Sequence, residues 1–168
     1  MKRYDTMKLF QSHRLGVVIL IFGAVLLMQG PPALGQAKDP LIGNWVLDRG
    51  KSAFDPDTTL LNRSLSFEAK DGGVSFNQKT VQGNGNTVEI NYVAKYDNKD
   101  VPIEGSQLDT VALKRVDANT VERTGKVKGQ VAESVTMKLS NGGKTLTIVT
   151  KGSIDGVDYS STQVYEKQ

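Results

Sequence analysis

From Gly43 onward, apolar and polar residues alternate in short runs that recur about every ten positions between clusters of glycine, asparagine and aspartate. Successive side chains of a strand point to opposite faces, so this period of two predicts half-buried β-strands. The runs break at Asp71-Gly72-Gly73, Gly83-Asn84-Gly85-Asn86, Asp97-Asn98, Asp117-Ala118-Asn119, Gly129, Asn141-Gly142-Gly143 and Asp155-Gly156. These residue types accept the backbone angles of tight turns. Strands are therefore expected near residues 43–48, 64–69, 74–81, 87–96, 101–104, 110–116, 120–128, 131–139, 145–152 and 157–166. Arg49 to Asn62 is the only stretch long enough for a helix, and Pro56 with the neighbouring threonines limits it to one short turn. An antiparallel meander of about ten short strands must dispose of its free edges, and closure into a barrel removes them. The expected fold is an all-β barrel.

The pattern before Gly43 is different. Lys2, Arg3, Lys8 and Arg14 stand against the single acid Asp5, and Leu15 to Met28 is an unbroken run of 14 apolar or glycine residues. A helix that crosses a bilayer needs about 20, so the run has the length of a signal-peptide core. Gln29-Gly30-Pro31-Pro32 ends that helix, and the small residues of Gly35-Gln36-Ala37 suit a signal peptidase. Cleavage is expected between Ala37 and Lys38, with Ala33-Leu34-Gly35 offering a cut two residues earlier. The chain then divides into a signal peptide, 1–37, and one mature domain of 131 residues, 38–168, exported to the periplasm or the medium. The one membrane contact the sequence offers is this leader, should it stay uncleaved as an anchor.

Charge changes the picture once the leader is set aside. Four of the 21 basic residues and one of the 18 acids lie in it, so the formal charge of +3 belongs to the leader and the mature domain carries 17 of each sign. A neutral domain lacks the basic excess that displaces counterions from phosphates, which argues against a nucleic-acid partner. The chain has no cysteine, and its only histidine, His13, lies in the leader. Without thiol or imidazole the mature domain has no disulfide, no Ser-His-Asp or Cys-His machinery and no histidine or cysteine metal site. No cofactor motif is present either: Gly83-Asn84-Gly85-Asn86 lacks the Gly-x-Gly-x-x-Gly spacing and the following helix of a phosphate cradle. The acid pairs Asp55/Asp57 and Asp97/Asp100 fall in turn-like sequence, where solvated loop acids are the usual case. Stability must come from a hydrophobic core, and a domain of this size buries roughly two thirds of its unfolded surface.

The informative residues are polar ones on the apolar phase of a strand. In the strand from Thr87 the inward set is Val88, Ile90, Tyr92, Ala94 and Tyr96. Val121 and Val127 set a phase that includes Arg123, and Val135, Met137 and Leu139 set one that includes Glu133. A three-residue loop, Lys128-Gly129-Gln130, keeps the faces consistent by setting Val127 opposite Val131, Gly125 opposite Glu133, Arg123 opposite Val135 and Val121 opposite Met137. Arg123 and Glu133 then become diagonal neighbours about 7 to 8 Å apart at the backbone, able to form an interior ion pair or to anchor a ligand. Tyr159, Gln163 and Tyr165 share a face of the last strand with Val157 and Ser161, while Arg115, at the end of its strand, is expected at the rim.

Two places resemble a known group. Gly43-Asn44-Trp45 resembles the Gly-x-Trp opening of lipocalins, and Thr162-Gln163-Val164-Tyr165-Glu166-Lys167 is similar to the closing strand of fatty-acid-binding proteins. Gly43 to Asp48 with Lys51-Ser52-Ala53-Phe54 also resembles small exported bacterial proteins of the lipocalin-like kind. The resemblance implies a calycin-like barrel that binds a small apolar or amphipathic molecule without covalent chemistry, closed at one end by Gly43 and Trp45. The interior polar set of Tyr92, Arg123, Glu133, Tyr159, Gln163 and Tyr165 would orient that ligand. In the closing strand of fatty-acid-binding proteins an Arg-x-Tyr pair grips a carboxylate, and here Gln163 stands at the arginine position. The alternative reading is a barrel filled by its own side chains that works through its surface. A third, a carboxylate enzyme, has only Glu133 as a clear inward acid. N-terminal sequencing of exported material is expected to begin at Lys38, or at Gln36 if the earlier cut is used; a start at Met1 would establish the anchor instead.

Overall fold

The computed structural model describes residues 39–55 and 60–168. These form ten strands: β1 (Gly43–Asp55), β2 (Leu60–Lys70), β3 (Gly73–Gln82), β4 (Thr87–Ala94), β5 (Val101–Pro102), β6 (Thr110–Arg115), β7 (Thr120–Val127), β8 (Gln130–Ser140), β9 (Thr145–Ile154) and β10 (Val157–Lys167). No helix occurs among the described residues. Every pairing is antiparallel, in one sheet ordered β4-β3-β2-β1-β10-β9-β8-β7-β6-β5. The two outer members meet where Asn91 and Glu104 exchange backbone hydrogen bonds of 3.1 and 2.9 Å. The sheet is thus an all-β meander curled into a nearly closed barrel, as the alternation anticipated.

Two expectations need correction. The Arg49 to Asn62 stretch holds no helical turn among its described residues: β1 runs on to Asp55 and β2 begins at Leu60. The ladder between β1 and β10 shifts register between Asp48 and Ala53, and the Ser52 hydroxyl bridges the gap. It donates to Asp48 O at 2.7 Å and accepts from Val164 N at 2.9 Å, standing in for a missing backbone partner. Pro56 and Asp57 lie outside the described residues, as do the expected signal helix and the cut between Ala37 and Lys38.

The β7–β8 hairpin turns through two residues rather than three. Lys128 and Gly129 take φ of 50° and 77°, the paired left-handed angles that match the twist of hairpin strands. Val127 therefore faces Gln130 and Lys126 faces Val131, and the Val127–Val131 pair does not form. A shift between Gly125 and Lys126 then resets the ladder. Beyond it Gly125 faces Glu133, Arg123 faces Val135 and Val121 faces Met137, the register the alternation required.

Side chains fill one end of the barrel. Leu41, Trp45, Phe67, Val74, Leu113, Leu146 and Val121 pack there, all at or below 2% exposure. Trp45 donates Nε1 to Leu41 O at 3.0 Å, and the Lys167 ammonium lies 4.9 Å from its ring centre while donating to Pro40 O at 2.9 Å. Gly43 makes room for that lysine, because a Cβ at 43 would sit 2.5 Å from Lys167 Cε. Asp39 fastens the chain across the same end. Its Oδ2 accepts from Tyr96 Oη and from Arg115 Nη2, each at 2.5 Å, with the guanidinium 4.1 Å over the Tyr96 ring. This places Arg115 at the tryptophan end, away from the interior.

Candidate functional site: the cavity at the opposite end

Beyond this plug the inward residues become shorter or polar, and a cavity of about 460 Å³ opens. Phe54, Phe76, Ile90, Ile103, Leu108, Val135, Met137 and Ile148 form its apolar wall. All six residues of the expected polar set, Tyr92, Arg123, Glu133, Tyr159, Gln163 and Tyr165, also line it. Gly43 and Trp45 do not, and stand at the opposite end.

Arg123 and Glu133 are the diagonal pair that the register implied. Arg123 Nη2 bonds Glu133 Oε1, with side-chain exposures of 15% and 11%. The second carboxylate oxygen of Glu133 accepts from Tyr159 Oη at 3.0 Å. This reach depends on a row that runs through Tyr159, Gly152, Glu133 and Gly125 on four adjacent strands. A Cβ at 152 would lie 2.4 Å from the Tyr159 ring, so the ring crosses β9 over the bare glycine. Burial alone would lower the Arg123 pKa, but Glu133 and Tyr92 beside it outweigh that and hold it raised. Arg123 Nε and Tyr92 Oη are buried and have no hydrogen-bond partner among the described residues.

A second polar cluster escaped the sequence reading. Arg63, on β2, donates Nε to Thr80 Oγ1 at 2.9 Å and Nη1 to Gln163 Oε1 at 2.8 Å. Gln163 Oε1 also accepts from Tyr165 Oη at 2.5 Å, while its Nε2 donates to Ser161 Oγ at 2.8 Å. Among the described residues every partner of Arg63 is neutral, and it makes no ion pair with any of them. The guanidinium thus lies beside Gln163, in the place where the closing-strand resemblance lost its arginine. Its signal was available: Arg63 shares the phase of Leu65 and Phe67, both buried. The strand expected from residue 64 began one position too late to include it. Gln78 and Thr80 likewise follow the phase of Val74 and Phe76 on β3.

The barrel has the calycin fold. It is similar to the zebrafish ileal bile acid-binding protein complexed with cholic acid, at 9% identity and a TM-score of 0.47, over 77% of this chain and 99% of that one. It is also similar to the Schistosoma mansoni fatty acid binding protein in complex with arachidonic acid, at 8% identity and a TM-score of 0.50, over 77% of this chain and 96% of that one. These likenesses concern the fold. No family model matches the sequence, and no curated protein matches it.

Two predictions follow from the interior polar groups. All four phenols of the barrel are pushed up. Burial is the main cause in each, helped by Asp39 at Tyr96 and by Glu133 at Tyr159, and opposed by Arg123 at Tyr92 and by Arg63 at Tyr165, which still reaches about 12. An unfolded phenol loses its proton near about pH 10, so these tyrosines contribute stability that is complete below that pH and lost as pH rises toward the folded values. Denaturation midpoints should fall above about pH 10, with tyrosinate absorbance appearing later in native protein than in urea-unfolded protein. Coincident titrations would refute the burial of these hydroxyls.

The second concerns the ion pair. Truncating either Arg123 or Glu133 leaves its partner charged and buried, at a cost of about 3 to 5 kcal/mol. Arg123→Met combined with Glu133→Leu should recover most of that loss in urea titrations. Single variants as stable as the parent would show that the pair faces water.

Proposed function

We propose that the protein binds one small amphipathic molecule in this cavity, with the apolar body against Phe76, Ile90, Met137 and Ile148 and an acidic group at Arg63. The observation that carries this reading is the unequal state of the two guanidiniums on the cavity wall. Arg123 is neutralised by Glu133, whereas Arg63 is held by Thr80 and Gln163 and forms no ion pair among the described residues. A half-buried cation fixed by neutral partners gains most from an anion brought to it, because a charge away from water is costly until it is paired. A volume of about 460 Å³ falls in the range of small-molecule sites, as does the mixture of apolar walls with a few converging polar groups.

The Schistosoma mansoni protein of like fold was solved with arachidonic acid, an apolar chain ending in a carboxyl group, which supports a ligand of that kind here. The hollow itself speaks against a barrel filled by its own side chains. With neither histidine nor cysteine in the mature domain, the reading involves no covalent chemistry. The leader of Met1 to Ala37 supports placing this binding outside the cytoplasm.

Arg63→Gln should lower the affinity for oleate, measured by calorimetry, by about 1.5 to 3 kcal/mol, the worth of a charge-assisted hydrogen bond. Binding of oleyl alcohol, which has the same chain and no charge, should be unchanged. Equal oleate affinity in parent and variant would remove Arg63 from the site. Native mass spectra and thermal-shift screens that find no bound or stabilising amphiphile would remove the function.

A further inference from the structure

The ion pair on the cavity wall leaves donors to spare. Glu133 has both oxygens engaged, Oε1 by Arg123 Nη2 and Oε2 by Tyr159 Oη at 3.0 Å. On the same guanidinium, Arg123 Nε is buried and meets no acceptor among the described residues, and Tyr92 Oη is in the same state. The two side chains come from separate strands, Tyr92 from β4 and Arg123 from β7. They are nonetheless neighbours, each acting electrostatically on the other, and both line the hollow.

Their immediate surroundings offer no side-chain acceptor. Arg123 stands between Leu113 and Val135 in the ladders of β7, and Tyr92 faces Phe76 across β3. The Tyr92 ring, 4% exposed, stacks on Phe76 with centroids 4.6 Å apart, and Phe76 leans in turn on Phe67 at 4.9 Å. The hydroxyl is therefore held where the packed ring puts it. A buried donor without an acceptor costs free energy, and a guanidinium cannot escape that cost by shedding its proton. Two such donors side by side define the chemistry of the group that would relieve them. A carboxylate brought there would face the charge of Glu133, and an ammonium group would only add donors. A hydroxyl accepts, but brings a proton that needs an acceptor of its own. A carbonyl oxygen has lone pairs for both donors and no proton.

We infer that Tyr92 and Arg123 form a second polar subsite of the cavity, which takes an uncharged carbonyl oxygen carried part-way along the ligand. The inference rests on the reading of the cavity as a binding site whose acidic group lies at Arg63. It narrows that ligand from an amphiphile with one polar end to an oxo acid. Arg63 and Arg123 keep separate partners, so one chain can be held at both places, by its charge at the first and by a neutral dipole at the second.

The test compares stearate with a set of stearates that carry a keto group at successive carbons, by calorimetry on the purified protein. One position, with its immediate neighbours, should bind about tenfold more tightly than stearate, the worth of a hydrogen bond to a charged group. The hydroxystearate substituted at the same carbon should gain less. Tyr92→Phe keeps the ring on Phe76 and strands no partner, so its urea midpoint should match or exceed that of the parent, while the advantage of the best keto acid over stearate should shrink by about threefold or more. Isotope-edited infrared spectra should show the ketone stretch moving to lower frequency on binding the parent, and moving less on binding Tyr92→Phe. Keto acids that bind no better than stearate at every position would overturn the subsite and leave the binding reading standing. A lower urea midpoint for Tyr92→Phe would also overturn it, because the hydroxyl would then be bonded within the protein. If neither stearate nor any keto acid binds, the binding reading fails and the subsite falls with it.

Discussion

A one-layer wall has to satisfy the backbone of every strand on both sides, and the structure is organised around that constraint. Ten antiparallel strands leave two edges, and an unpaired edge is a row of open donors and acceptors. The chain answers by bending the sheet until β4 faces the segment after β5. Once the wall is curved, period-two alternation sorts each strand's residues between water and interior. The position of a polar residue in that alternation then decides whether it meets solvent or the hollow.

The interior is divided by side-chain size. At one end Trp45, Phe67 and Leu146 leave no space, with Lys167 and Asp39 fastening chain segments across it. Toward the other end the inward positions pass to Ser161, Thr150 and Gln163, and glycines at 125 and 152 take side chains out of the wall altogether. The space vacated is partly reclaimed by neighbours, Tyr159 over one glycine and Leu108 over the other. What is left carries two arginines in contrasting electrical settings. One is balanced within the protein, and the other meets hydroxyl and amide partners among the described residues.

Most of the fold was legible because alternation and turn residues are local properties. The inward phase of Tyr92, Arg123 and Glu133, and the diagonal meeting of the last two, followed from period two plus one consistent register. The hairpin was harder, since a two-residue turn with a later bulge gives the same distant register as a plain three-residue turn. Bulges also hid the extension of β1, where Ser52 rather than the backbone completes the ladder. Arg63 was lost through a strand boundary placed one residue short. Its pairing with Gln163 spans 100 positions of sequence, a contact that no local pattern encodes. Two glycines hid their roles for a related reason: Gly105 and Gly125 read as ordinary turn and strand glycines until the chain that lies against each is known.

The pairing of β1 with β10 has a consequence for how the molecule comes into being. Trp45 finds its ladder partner, Lys167, 122 positions further along the chain. A nascent barrel therefore carries one unsatisfied edge of β1 until β10 has been made, and contacts so distant in sequence are slow to form. Until β10 arrives, the meander from β1 to β4 presents its apolar face with nothing across from it, a state open to wrong partners. The tenth strand of the meander is the one that turns a sheet into a container.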